Sequence, residues 1–256
     1  MKVSSYADRL GGFVSSNAGK IADCYTDAKI KYKNNAAGFV FENGGEIERC
    51  VAQKPVKGKT NIAGFCFRNN GTLKNSGFMR AENSKKTKAA DEKFAVEYKD
   101  IAEVYEKLSL SDPWIAPEKG DSRLDFSDDI LSFPVENPIE ISSAEELFMI
   151  ASDIATGDAA AASANYVLVK DINLRGKKWI PIGASDTMPF TGKFNGNGHK
   201  VYNFKIEAKG LPFAGFFGVV KDCAVVNLTV DCVVNAADGA VVGGMCGQND
   251  NGTFYN

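Results

Sequence analysis

His199 is the only histidine in the 256 residues, which excludes a multi-histidine metal centre and leaves any acid/base scheme to carboxylates. It stands in Gly-Asn-Gly-His-Lys (196–200), a corner-like stretch where a structural role is expected. Asp121, Asp125, Asp128 and Asp129 form the densest acidic cluster, but they lack the spacing of a calcium loop and read as a solvated face. Asp23 is followed at intervals of 26 residues by Arg49 and Asn75, so no stack of carboxylates forms in that column. Tyr6, Tyr25, Tyr32 and Phe39 have the ring chemistry for stacking on sugars, yet aromatics of stacked strands usually face a core. Asn70, Asn227 and Asn251 each open an Asn-x-Thr glycosylation pattern. On these grounds no catalytic residue, cofactor or metal ligand is assigned, and the chain is not expected to be an enzyme.

Six cysteines are too few for a disulfide scaffold. Cys24 and Cys50 hold the same place in successive repeats and Cys66 sits beside a Gly-Phe pair, so the thiols read as small buried packing residues. The 30 basic and 32 acidic side chains leave a net charge of -2, which disfavours nucleic acid and an anionic membrane as partners. With 44% apolar residues the chain can bury a large core. No run reaches the ~18 apolar residues of a membrane span, so no membrane insertion is expected. The first 25 residues hold no apolar run behind a basic start.

Whatever positions these residues must be a repeat. GFVSSNAGKIADC (12–24), GFVFENGGEIERC (38–50) and GFCFRNNGTLKNS (64–76) align without a gap at a period of 26. Asn17, Asn43 and Asn69 share one column, Gly19, Gly45 and Gly71 a second, and Ile21, Ile47 and Leu73 a third. Each unit reads as a short strand, an Asn-x-Gly turn and another short strand. Asn and Gly tolerate left-handed backbone angles, so a turn explains those columns. No helix fits inside the unit. A strand-and-turn unit of this size cannot enclose a core alone, but stacked coils can, each strand pairing in parallel with its copy one coil away. The expected fold class is all-β, a parallel β-helix or solenoid.

Later segments keep the same grammar. YVLVKDINLRGKKWIPIG (166–183) and FTGKFNGNGHKVYNFKI (190–206) supply strands with glycine and asparagine corners, and GFFGVVKDCAVVNLTVDCVV (215–234) and GGMCGQNDNGTFYN (243–256) return to a glycine-led opening. Together with GGFVSSNAGKIADC (11–24) and AGFVFENGGEIERC (37–50), these segments resemble GLUG-motif proteins. Those are bacterial repeat proteins that form right-handed β-helices and occur in adhesin-like surface proteins and beside IgA-protease regions. The resemblance covers residues 8–80 and 139–256. It implies a right-handed parallel β-helix, a binding or structural role without shared catalytic residues, and an extracellular or cell-surface location, with the cytoplasm as the alternative. One departure stands out: in the family the segment resembling 171–199 usually precedes the glycine-phenylalanine repeats, whereas here three such repeats come first.

Residues 81–138 change character. KAADEKFAVEYKDIAEVYEKLSL (88–110) places Phe94, Tyr98, Ile101, Tyr105 and Leu108 on one face and predicts an amphipathic helix packed on its own domain. The proline-rich stretch 111–138 reads as an extended surface segment. Ser143 and Glu146 then have capping-box spacing, Leu147, Ile150 and Ile154 form an apolar stripe, and Gly157 suits a helix end. That helix is expected to lid the coils from 166 onward. The organisation expected is β-helix coils over 1–80, a connecting segment over 81–138, and a capping helix with further coils over 139–256.

The C-terminal stretch aligns with the repeat when one residue is inserted, setting Asn249 under Asn69 and Gly252 under Gly71. The chain thus stops about halfway round a coil, and residues 1–11, which precede the first full repeat, supply the other half. Two geometries follow. One chain can close on itself, running 139–256 and then 1–80 along the solenoid with the middle segment returning outside. Alternatively the C-terminal half coil of one molecule meets the N-terminal half coil of the next and a filament grows. The expected function is a structural or adhesive module assembling head to tail with itself through Val3, Tyr6 and Leu10 at one end and Met245, Cys246, Phe254 and Tyr255 at the other. A carbohydrate or host-surface ligand is the further candidate partner. A non-polymeric ligand-binding module is the alternative, and a carbohydrate-active enzyme, which would need carboxylates on adjacent coils, the third reading.

Overall fold

The computed structural model describes residues 2–4, 9–31, 34–57, 60–79, 95–98, 101–110, 114–115, 118, 125–126, 134–235, 237 and 239–255. One eight-stranded sheet joins the two halves of the chain. Its strands pair in the order Ile139–Ile141, Tyr166–Leu168, Lys193–Asn195, Ala224–Val226, Thr253–Tyr255, Lys20–Ala22, Glu46–Glu48 and Thr72–Lys74, and every step is parallel. Further parallel sheets form the other walls, and the coils stack into a β-solenoid of about seven turns. Spatial order therefore differs from chain order: the segment 139–255 comes first and 2–79 follows. The segment 171–199, which lies after the three repeats in the chain, lies before them in space.

Repetition at constant spacing lets like residues meet their own copies. Phe13 and Phe39 stack at 4.9 Å and Phe39 and Phe65 at 4.8 Å, the spacing of one rung. The apolar column they belong to is continuous with that of the other half, since Leu10, Ile47, Phe194 and Phe217 share one core. The Asn and Gly columns are conserved in space for a reason other than the one the sequence suggests. Neither Asn17, Asn43 and Asn69 nor Gly19, Gly45 and Gly71 adopts a positive φ. The asparagines end their strands and hydrogen-bond along the stack. The glycines let neighbouring backbones touch: a Cβ on Gly45 would lie 2.1 Å from the Gly19 carbonyl oxygen. The left-handed positions fall at the next corner instead, at Asp23, Arg49 and Asn75, with φ of 49°, 48° and 43°.

At the 139 end, helix α2 (Ala144–Ala155) follows helix α1 (Ile101–Lys107) in the chain and precedes the short α3 (Ala159–Ser163). Ser143 accepts from the Glu146 N–H at 3.2 Å, and the Glu146 carboxylate accepts from the Ser143 N–H at 3.0 Å, a complete capping box. Leu147, Ile150, Ala151 and Ile154 bury into the core, and Phe148 packs on Trp179. Gly157 has φ 101° just beyond the helix.

The middle segment departs from expectation. Among the described residues of 88–110 the helix is α1, Ile101–Lys107, and Val96–Tyr98 is a strand that adds a parallel rung to Gly77–Met79. Backbone groups at a sheet edge gain partners by extending the ladder, and this outweighs a helical pattern at Tyr98. Phe94 and residues 88–93 lie outside the described residues. Val104 of α1 and Leu108, just past its end, pack with Tyr98, Val51 and Trp114 in a second cluster, and the Tyr98 hydroxyl donates to the Ala52 carbonyl at 3.0 Å. The stretch expected to be a plain extended surface segment contains the antiparallel pair Trp114–Ile115 and Asp125–Phe126, and Trp114 is buried.

Candidate functional site

The two ends of the chain form one coil. Thr253–Tyr255 pairs with Lys20–Ala22 on one side and Ala224–Val226 on the other. Lys2–Ser4 lies between Val233, Val234, Asn235 and Lys29, Ile30, Lys31. Arg9–Gly11 pairs with Val241–Gly243, and Val14 and Asn17 stand beside Cys246 and Asn249. Val3 and Leu10, expected at one end, stand beside Val234 and Val242, while Cys246, Phe254 and Tyr255, expected at the other, stand beside Val14, Ile21 and Ala22, and the Met245 N–H donates to the Phe13 carbonyl; Tyr6 lies outside the described residues.

This seam carries the same contacts as the repeats. Asn249 Nδ2 donates to Asn17 Oδ1 at 2.8 Å, Asn17 Nδ2 to Asn43 Oδ1 at 2.8 Å, and Asn43 Nδ2 to Asn69 Oδ1 at 2.7 Å. A ladder of stacked amides suits parallel in-register strands, where each side chain offers one donor and one acceptor along the stack. Gly252 takes the place of Gly19, and the residue inserted between it and Asn249 is accommodated at Asn251, whose φ is 58°. Phe254 is buried edge-on against Phe13 at 5.9 Å and near Phe217 at 6.4 Å.

A buried ionic group stands beside the seam. The Asp23 side chain is fully buried and its carboxylate accepts from Arg49 Nε at 2.7 Å, from a second Arg49 nitrogen, and from the Trp114 indole N–H at 3.1 Å. Asp23 and Arg49 also act electrostatically on the Tyr255 hydroxyl. The hydrogen bond to Asp23 drives the Arg49 guanidinium above its ordinary pKa, and Glu48 lies 3.3 Å away. Burial first, then the Asp23 charge, raises the Tyr255 hydroxyl. The hydrogen bonds of this group tie two consecutive repeats to the middle segment. Asp23 and Arg49 were legible as one column at 26 residues, but their pairing and the contribution of Trp114 have no sequence signal.

A cavity of about 270 Å³ opens at the same place. Phe13, Met245, Phe254 and Val225 supply apolar lining, residues 24–27 and 228–231 flank it, and Lys200 and Tyr255 contribute polar groups. Met245 occupies the position of Phe13 one rung away, so a flexible thioether interrupts the phenylalanine column where the cavity lies.

The other candidates separate. Phe39 is core, Tyr25 is half-buried with its ring 6.3 Å from Trp114, and Tyr6 and Tyr32 lie outside the described residues. His199 Nδ1 stands 3.4 Å from Asp171 Oδ1 at the surface, a corner residue as expected. Asp121, Asp128 and Asp129 lie outside the described residues, and Asp125 pairs through its backbone. Asn70 and Asn251 are exposed, whereas Asn227 is buried and its amide donates to Asn195 at 3.3 Å. All six cysteines are buried free thiols. Neither a protein-family model, nor a curated protein, nor a solved structure matches the chain.

Proposed function

We propose that the chain is a non-catalytic β-solenoid module of a bacterial surface or secreted protein, closed within one molecule, whose seam cavity binds a ligand. The observation carrying this reading is the parallel, in-register pairing of Thr253–Tyr255 with Lys20–Ala22 in a single chain, which satisfies the backbone of both half coils without a second molecule. The apolar cavity beside it supports binding, and the engagement of Asp23 by Arg49 and Trp114 speaks against a free catalytic carboxylate. The likeness to GLUG-motif repeats supports the bacterial and surface assignment and the right hand of the coils.

Size-exclusion chromatography with light scattering over a hundredfold concentration range tests the reading. A single species of 27.5 kDa at every concentration is expected. The second reading is head-to-tail assembly, because every seam contact joins chain segments remote in sequence and the same register between copies would build a filament. Rods in negative stain that lengthen with concentration would establish it in place of the first.

A further inference from the structure

Neighbouring rungs of the solenoid set opposite charges side by side. Lys20 stands beside Glu46, Arg68 beside Glu42 and Lys221 beside Asp250, with charged atoms 3.8 Å, 2.7 Å and 3.9 Å apart. In-register stacking favours such pairs, because each side chain meets its neighbour's one rung away.

One row breaks this rule. On the sheet that holds Lys200–Glu207 and Thr229–Asn235, the register sets Lys178, Lys205, Val233, Lys2 and Lys29 in line across five rungs. Lys178, Lys205 and Lys29 are exposed, whereas Trp179, Ile206, Val234 and Ile30, one residue on, are buried, so the row faces solvent. Among the described residues none of these three lysines forms an ion pair. Lys178 and Lys205 are direct neighbours, and like charges so placed cost a sheet stability. The row runs ~19 Å at ~4.8 Å per rung. A net charge of -2 for the whole chain conceals it.

The surroundings narrow the class of partner. Compact ammonium groups on flexible stems, repeated in a line, suit a string of anionic groups better than a single ion. Asn173, Asn203 and Thr229 are exposed on the same sheet and offer amides and a hydroxyl that can bond to hydroxyl groups. The ring of Tyr202 already carries the Lys200 ammonium at 5.3 Å, so it offers no bare platform for a nucleic-acid base. Of the acids that border the row, Glu207 accepts from the Asn235 amide at 2.8 Å.

We infer that this sheet face binds a linear acidic polysaccharide, its carboxylate or sulfate groups along the lysine row and its hydroxyls against the flanking asparagines and threonine. The surface is separate from the seam cavity and does not depend on what that cavity holds.

The test is a fluorescence-anisotropy titration of the full chain with end-labelled heparin and polygalacturonate, competed by neutral dextran and by an oligothymidylate. Saturable binding of at least one acidic chain is expected, weakened by salt and undisturbed by either competitor. Lys29→Gln, Lys178→Gln and Lys205→Gln together should weaken it about tenfold, each lost contact contributing a few-fold, without lowering the melting temperature. Lys74→Gln, Lys170→Gln and Lys193→Gln together remove the same charge from exposed positions outside this sheet. That variant should change the affinity less than about twofold. The inference is overturned if neither acidic chain binds, if both triple variants weaken binding equally, or if dextran or the oligothymidylate displaces the chain at equal concentration. A lower melting temperature in the first variant overturns it as well, because the row would then serve the fold. None of these outcomes bears on the seam or its cavity.

Discussion

Asn249 donates a side-chain hydrogen bond to Asn17 at 2.8 Å across 232 positions of sequence, and in doing so extends the ladder that Asn17 begins with Asn43 and Asn69. The joint between the two halves of the chain is therefore built with the same bond as the joints within one half. All four amides belong to one stack, and Asn17, at its second rung, is bonded on both sides.

Removing that rung should unzip polar partners on two coils. Asn17→Ala takes an acceptor from Asn249 and a donor from Asn43, both buried. A buried unsatisfied polar group costs about 1–3 kcal/mol, so urea denaturation should report a loss of roughly 2–5 kcal/mol. A loss under ~1 kcal/mol would show that the ladder contributes little to the seam.

The buried carboxylate depends on its cation. Arg49→Met leaves Asp23 with neutral donors only in a site closed to solvent. Removing one partner of such a pair costs about 3–5 kcal/mol, here nearer ~3 because Arg49 is partly exposed. Adding Asp23→Asn should recover part of that loss, and the coupling between the two substitutions in a double-mutant cycle measures the pair directly.

Alkaline pH should destabilise the fold through its thiols. Burial pushes Cys223 and Cys232 from an ordinary value of 9.0 up to about 12. Unfolded thiols ionise first, so their contribution is complete below pH 9.0 and is lost as pH rises toward about 12. Between those limits each thiol should remove roughly 1 kcal/mol of stability per pH unit. Denaturation midpoints at pH 7 through 11 check this, and the native thiols should resist Ellman's reagent until the chain unfolds.

Phe254→Asp distinguishes a seam within one molecule from one between molecules. The ring is buried against Phe13, and its loss together with an unpaired charge should cost about 4 kcal/mol or more. In the closed molecule the variant remains at 27.5 kDa with a lower melting temperature. In a head-to-tail polymer it would instead shorten the rods, which electron microscopy would register.

Much of the solenoid was readable because its information is local and periodic. The three gap-free repeats announce a rung, and the capping box at Ser143 and Glu146 announces a helix start whatever surrounds it. The Asn-x-Gly column predicts a left-handed turn because composition cannot tell a residue needed for its φ from one needed for its side-chain amide or for lacking a Cβ. The spacing of Tyr98 from Ile101 and Tyr105 predicts a helix, and the edge at Gly77–Met79 that claims it lies outside any sequence window.

By itself the sequence determined that the three 26-residue repeats stack in parallel, since equal spacing forces like residues to meet. Only the tertiary structure decided that the halves meet in the order 139–255 and then 2–79, that Asp23 finds Arg49 and Trp114, and that a cavity opens beside Phe13, Met245 and Phe254. Which edge satisfies which depends on how the whole path closes in three dimensions, and a repeat period carries no record of that closure.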